Sequence, residues 1–450
     1  MKERRKRTMA TNLTGLGVLL TLTSMYNVIR MHPSEIFEQQ NLHPLSISDV
    51  LQKSPILYHW KWHPPRHERF PSIEKRVQIY MSDWYLPPCS NTTKFKYRWK
   101  VPPNATGYSV LEVRRRESLK PTNFTSYLLS DRPVLLNRDL IMECLSFKRA
   151  TDWGNHVGRN RNLRFYTQDS LLLLDLVGNR TPVLAKYGDT QTNLELPIFV
   201  KWRWMANEAS LKLAIDATCG GPTQLSTRKG KRGFPAPILW KLNQIRHWRP
   251  LQSTHKLDIP WEKKISMAVW RGAYTGKSLT NGVISNEAEC LANLRCRFVY
   301  DHADSMLVTA GFTPKTNITK EFGVSVRKDR LSMEELLQYK IIISLEGNDV
   351  ASGLKWQLLS QSVVMMPPPT RTSWAMEELL EPWVHYVPIH LNGSNTEERV
   401  QWVLEHDEEA QKIAERGSLF MYDMVFHPSA SHEELVIMTE MARRYRELWH

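Results

Sequence analysis

Short apolar runs recur along this chain with longer amphipathic segments between them, and that alternation constrains the fold more than any other feature. Residues 171–176, 197–200, 267–270, 341–345 and 363–366 are nearly unbroken in hydrophobicity, the pattern of strands buried on both faces in a parallel sheet. Segments 206–216, 285–295, 332–338, 352–361 and 396–405 have helical spacing, and Ser332 with Glu335 offers a capping box. Parallel strands need helical crossovers, so the alternation predicts an α/β fold of Rossmann-like sheets. At 450 residues the chain exceeds what one core usually organises. Two domains are expected, 66–250 and 251–425, with a ligand in the cleft between them. Helices at 406–425 and 431–448, the second opened by a capping box of Ser431 and Glu434, are expected to brace the pair, 426–450 forming a separate terminal segment.

The first 65 residues read differently. Residues 1–7 carry Lys2, Arg4, Arg5, Lys6 and Arg7 against Glu3, and residues 8–29 carry no charge over 22 positions. About 20 residues cross a bilayer as a helix, although five threonines, Ser24, Asn12 and Asn27 dilute this run. The basic flank places Met1 in the cytosol and the rest in the lumen, a type II signal anchor followed by a stem at 30–65. A cleaved signal peptide and a disordered leader are the alternatives. Asn91, Asn104, Asn123, Asn179, Asn317 and Asn392 each begin an N-x-[ST] sequon beyond the anchor, which favours a lumenal body. Five cysteines are too few for a disulfide scaffold and show no C-x-x-C spacing, though Cys290 and Cys296 are placed for a local bridge. The net charge of +14 suits an anionic partner. No DNA or RNA module accompanies it, so nucleic acid is not expected.

Several chemistries are excluded by motif. The chain has no H-E-x-x-H, G-x-S-x-G, G-x-G-x-x-G or D-x-D, so neither a zincin, a nucleophile-elbow hydrolase, a dinucleotide fingerprint nor a paired-acid cation site is indicated. Gly272 to Ser278 imitates a phosphate loop but has three residues between its glycines where four are needed. Two constellations remain. The 267–270 run leads straight into Arg271 and Gly272, where a guanidinium can take a phosphate bidentately or pair structurally with a carboxylate. The 341–345 run leads into Glu346-Gly347-Asn348-Asp349-Val350-Ala351-Ser352-Gly353-Leu354-Lys355, a polar turn before a helix. Such a turn aims free amides at an anion, or is an ordinary turn capped by Asp349 or Ser352. Trp202, Trp204, Trp240 and Trp248 lie beside basic residues, and most tryptophans are expected in the core.

These residues resemble a known family. Pro260-Trp261-Glu262-Lys263-Lys264-Ile265-Ser266-Met267-Ala268-Val269-Trp270-Arg271-Gly272, then 346–366, then Glu381-Pro382-Trp383-Val384-His385-Tyr386-Val387-Pro388, then Ala410-Gln411-Lys412-Ile413-Ala414-Glu415-Arg416-Gly417 are similar to glycosyltransferase family 90. That family includes lumenal protein O-glucosyltransferases and capsule-associated xylosyltransferases. The resemblance covers 260–417 and fades upstream of about 160. It implies a GT-B architecture, with two Rossmann-like domains facing a cleft, and inverting transfer of a hexose or pentose from a UDP-sugar to a protein or glycan hydroxyl without a metal. By position it implies a nucleotide-sugar site of Ser266, Arg271, Gly272, Glu346, Gly347, Asp349, Val350, Ala351, Ser352 and Lys355. One departure is that Leu354 stands where animal O-glucosyltransferases have an arginine, the cation here being Lys355. The family's base is an aspartate ahead of a Pro-[IV]-Phe strand of the acceptor-side domain. Asp189, eight residues before Pro197-Ile198-Phe199, fits it, with Asp175 the runner-up. The implied protein is anchored in the Golgi or endoplasmic reticulum membrane, and Glu447-Leu448-Trp449-His450 is no K-D-E-L retrieval signal. The alternative is a catalytically inactive lumenal member that binds sugar or peptide.

Overall fold

The computed structural model describes residues 69–85, 166, 169–178, 181–189, 197–205, 236–276, 287–313 and 326–449, with backbone strands at 98–100, 110–113, 117–118 and 134–135. The basic tail, the signal anchor, the stem, the sequons at Asn91, Asn104, Asn123, Asn179 and Asn317, and Cys89, Cys144 and Cys219 lie outside the described residues, as do segments 206–216 and 228–235. Among the described residues no helix is long and apolar enough to cross a membrane.

Strands β1 (Arg98–Lys100), β2 (Val110–Val113) and β3 (Glu117–Ser118) pair antiparallel. A four-stranded sheet follows in the order β4 (Val134–Leu135), β5 (Leu184–Lys186), β6 (Phe199–Val200) and β8 (Ile238–Leu239). Its first pair is antiparallel and the others parallel. Strand β7 (Trp202–Trp204) leaves this sheet and pairs antiparallel with β13 (Arg371–Ser373). The larger sheet is wholly parallel, in the order β10 (Val308–Phe312), β9 (Ile265–Gly272), β11 (Tyr339–Ile343), β12 (Val363–Met366) and β14 (Val387–Pro388). The fold is therefore mixed α/β built on parallel sheets, as the alternation predicts.

The apolar runs of the larger sheet are explained by cover on both faces. Val269, Ile342 and Val364 join a core that also contains Phe199 and Ile238 of the smaller sheet. Trp270, Ile341, Ile343, Val363 and Met365 point the other way, into a second cluster with Phe298, Val400 and Ile413. Each such side chain, fully buried, contributes about 1.5–3 kcal/mol relative to exposure.

Helix α1 (Ile73–Met81) opens at Ser72, whose hydroxyl accepts from Lys75 N. The run at 171–176 is a helix, α2 (Leu171–Val177), not the expected strand. It contains leucine without a β-branched residue until Val177, it is closed by Gly178 at φ +82°, and leucine favours helix where valine and isoleucine favour strand. Leu173, Leu174 and Val177 are buried while Leu172 and Asp175 are exposed, a helical period. Helices α3 (Gln244–His247) and α4 (Leu251–Leu257) lead into β9.

The segment 285–295 forms two helices, α5 (Glu287–Ala292) and α6 (Leu294–Asp301), because Asn293 breaks the first and caps the second by accepting from Cys296 N. The Cys290–Cys296 disulfide spans the break. Helix α7 (Met333–Leu336) has the expected Ser332 and Glu335 capping box, α8 is Leu354–Leu358, and α9 is Thr396–Glu405. Helix α10 (Asp407–Val425) packs on β12 and α8, and α11 (Ala430–Glu447) on α1 and α2. The Ser431 and Glu434 box does not form. Helix α11 starts one residue earlier, behind Ser429, and Glu434 pairs with Lys241 instead.

Candidate active site

Three polypeptide segments meet beyond the carboxyl ends of parallel strands, the usual ligand position of an open α/β sheet. Asp189 stands three residues past β5, after Gly188 at φ +97°. Lys201 is the one residue between β6 and β7. Asp349 lies in the turn after β11. Lys201 Nζ is 2.5 Å from Asp189 Oδ1 and is also paired with Asp349 Oδ2. The lysine is buried, whereas the Asp189 side chain is 39% exposed, so an incoming hydroxyl can reach it. Burial opposes the charge on Lys201, but Tyr166, Asp349 and Asp189 together hold its ammonium above the usual lysine range. Burial pushes the Asp349 carboxyl up, Lys201 opposes this, and Asp189 adds to the rise.

The 346–353 turn is shaped by its neighbours. Glu346 accepts from Thr370 N, Arg371 N and Arg371 Nη1 at 2.8–3.1 Å, and from Thr370 Oγ1. Its carboxylate thus clamps the turn to β13 and is not free for a ligand. Gly347 is required by a close approach, since a Cβ there would lie 2.5 Å from Thr275 Oγ1 and 2.9 Å from the Arg295 guanidinium. Arg295, from α6, donates to Leu345 O, Glu346 O, Ala273 O and Thr275 Oγ1. Burial pushes its guanidinium down to about 10. Helix α8 has only five residues, so its dipole adds little beyond the amides of the turn itself.

Beside the turn is a cleft with about 460 Å³ of empty space, open to solvent and lined by Ser344, Glu346, Val350, Ala351, Leu354, Met366, Pro367, Pro368, Pro369, Arg371 and Leu391 among others. Its walls are mainly apolar. Two polar atoms on lining residues, Ser344 Oγ and Arg371 Nε, are buried without a partner. Arg371 also stacks on Trp204 and Trp202, at 4.5 and 5.4 Å from the ring centroids.

The residues expected at a nucleotide-sugar site divide into two groups. Glu346, Val350 and Ala351 line the cleft, Gly347 and Asp349 lie in the same turn, and Asp349 is joined to Asp189 through Lys201. Ser352 is exposed on the same turn. Lys355 is buried at 1% exposure and its ammonium is 2.6 Å from Glu377 Oε1, which also accepts from Ser373 Oγ. Arg271 donates to Asp329 O, Trp270 O, Thr309 O and Thr309 Oγ1, beside Gly272. Ser266 is at the opposite, amino-terminal end of β9 and exposed. Five steps from Arg271 at about 3.3 Å each put it roughly 17 Å from the strand's carboxyl end, so the fold does not bring it to the turn. His385 Nδ1 accepts from Glu381 N and closes its own turn. Asp175 is exposed on α2. Lys201, Arg295, Arg371 and Ser344 escape a reading of the sequence. The one available signal was a lysine directly after the Pro197 to Val200 strand.

Residues 233–441 match the model of glycosyl transferase family 90. An O-glucosyltransferase LpsA of Dichelobacter nodosus is 28% identical over 237 residues, 53% of this chain and 59% of that protein. Protein O-glucosyltransferase 2 of Danio rerio is 32% identical over 174 residues, 37% of this chain and 31% of its own length. Protein O-glucosyltransferase 1 of Homo sapiens is 30% identical over 165 residues, covering 36% and 38%. The chain thus spans less than two thirds of these relatives. The matched region holds the whole larger sheet, the 346–353 turn and the cleft, and over it the chain is similar to glycosyl transferase family 90.

Proposed function

We propose that this chain is an inverting, metal-independent glycosyltransferase of GT-B type that moves a hexose or pentose from a UDP-sugar to a hydroxyl of a protein or glycan. The observation that carries the reading is the convergence of Asp189, from the smaller sheet, with Asp349 of the larger sheet's turn across one lysine. In this reading the acceptor oxygen attacks the anomeric carbon and the bond to the diphosphate breaks, its electron pair leaving with UDP. Asp189 takes the acceptor's proton. The turn amides and Arg371 face the leaving diphosphate, where preorganised donors lower the barrier most. Arg271 and Lys355 serve by fixing the end of β9 and the base of the turn. The converging acids already share an ammonium, which supports a site working without a divalent cation.

The same reading makes the protein a single-pass type II protein of the Golgi or endoplasmic reticulum membrane, with its body in the lumen. The exposed sequon Asn392 and the Cys290–Cys296 disulfide support an oxidising, glycosylating compartment. The test is a transfer and hydrolysis screen of the full chain with UDP-glucose, UDP-xylose, UDP-galactose and UDP-glucuronic acid, with and without EDTA. Turnover of one donor that survives EDTA is expected. Failure to bind UDP in calorimetry would overturn the donor assignment, and EDTA loss restored by manganese would overturn the metal-free mechanism.

A further inference from the structure

Asp189 and Asp349 are joined by a residue whose orientation is fixed by strand pairing on both sides. On one side of Lys201, Val200 pairs in parallel with Lys186 and Leu239. On the other, Trp202 pairs antiparallel with Ser373. The Lys201 side chain is 3% exposed, against 39% for Asp189 and 16% for Asp349, so the cation is the rigid member and the acids are held by it.

We propose that Lys201 is a positioning residue for the transfer, which holds Asp189 directed toward the 346–353 turn and ties that turn to the smaller sheet through Asp349. This rests on the reading of Asp189 as the base. Two carboxylates brought this close do not both stay ionised unless a counter-charge sits between them. The other charged or titratable groups facing the trio include Tyr166, His247, Lys355, Arg295 and Arg371, the last of these paired with Glu346. The Tyr166 ring centroid is 5.9 Å from the ammonium. Burial keeps His247 neutral, with Lys355 and Lys201 adding to the effect. Lys355 is taken up by Glu377, and Arg295 by the carbonyls of Ala273, Leu345 and Glu346. Among the described residues, Lys201 is the cation paired with Asp189.

Lys201→Met and Lys201→Arg in the full chain separate positioning from packing. In Lys201→Met the acid limb of kcat/KM should move up by a pH unit or more, because the two carboxylates then face each other without a counter-charge. Lys201→Arg should restore the limb. Reduced activity with an unmoved limb would overturn the proposal. A second arm needs no substrate and compares urea midpoints for Asp189→Asn in the two backgrounds. Asp189→Asn should lower the midpoint when Lys201 is present and leave or raise it in Lys201→Met. An equal decrement in both would show that the side chains are uncoupled and would also overturn it. Coupling found together with full transfer in Asp189→Asn would remove the base assignment, and the positioning role with it, while leaving the bridge. Lys201→Gln serves both arms if Lys201→Met fails to fold.

Discussion

The larger, parallel sheet and the smaller, mixed sheet are built by different means. The larger has long central strands, eight residues in β9 and five in β11, buried on both faces by apolar side chains. The smaller has strands of two or three residues and is held by polar bonds from far along the chain. Arg203 donates to the carbonyls of Ile79, Tyr80 and Pro237. Asp83 Oδ2 accepts from Ala236 N and Trp84 Nε1 donates to Ala236 O, both at 2.9 Å. Tyr445 Oη, from the last helix, donates to Pro182 O and accepts from Leu184 N. A sheet of the first kind is a rigid platform carrying a turn at its edge. One of the second kind depends on every strut, and it holds the more exposed of the two acids.

If the smaller sheet supplies the chemistry and the larger the binding, one substitution should split the two. Asp189→Asn keeps size and polarity but removes the basic lone pair. Transfer should fall by about 10² to 10⁴, the range for a positioned general base, with UDP affinity by calorimetry within about twofold of wild type. Retained transfer would move the base to another acid, and a parallel loss of UDP binding would end the division of labour between the sheets.

The platform itself can be broken at Lys355. Its ion pair with Glu377 is almost fully buried on both sides, at 1% and 2% exposure, so Lys355→Met leaves a carboxylate without its counter-charge. Breaking such a pair costs about 3–5 kcal/mol, and the urea midpoint should drop accordingly. A change below about 1 kcal/mol, with UDP binding lost instead, would mean that Lys355 acts on the donor directly.

The same contrast explains what was legible in the sequence. β9, β11 and β12 are strands because both faces are buried, and that requirement is written locally as runs such as Ile341 to Ile343 and Val363 to Met366. The turn after β11 was legible for the same reason, as polar residues and glycine abruptly following such a run. The apolar residues at 171–176 carry the same hydrophobicity but pack a helix, because hydrophobicity alone does not encode period when the run is six residues long. Lys201 was beyond reach because its role comes from three strands in two sheets that meet only in the fold. Lys355 and Arg271 look like ligand cations in sequence, since nothing local reveals that Glu377 and the carbonyls of Thr309 and Asp329 take them up.

A smaller effect should distinguish the sheets by pH. Asp169, just ahead of α2, is pushed up to about 7 by burial, while bonds from Gln244 N and Asn243 and the charge of Lys241 pull the other way. The folded state therefore binds its proton more tightly than the unfolded chain, whose carboxyl titrates near the ordinary value of about 4. Between those limits the folded form carries the extra proton, so this group's contribution to stability falls as pH rises from about 4 to 7 and is level above that. Asp169→Asn preserves an oxygen for Gln244 N but removes the titration. Relative to wild type the variant should gain on the order of 1–2 kcal/mol between pH 5 and pH 8, once partial solvent access is allowed for, read as a divergence of urea midpoints. An unchanged gap between the two proteins across that range would show that Asp169 stays ionised in the fold, and that the smaller sheet's struts include a charge rather than a neutral acid.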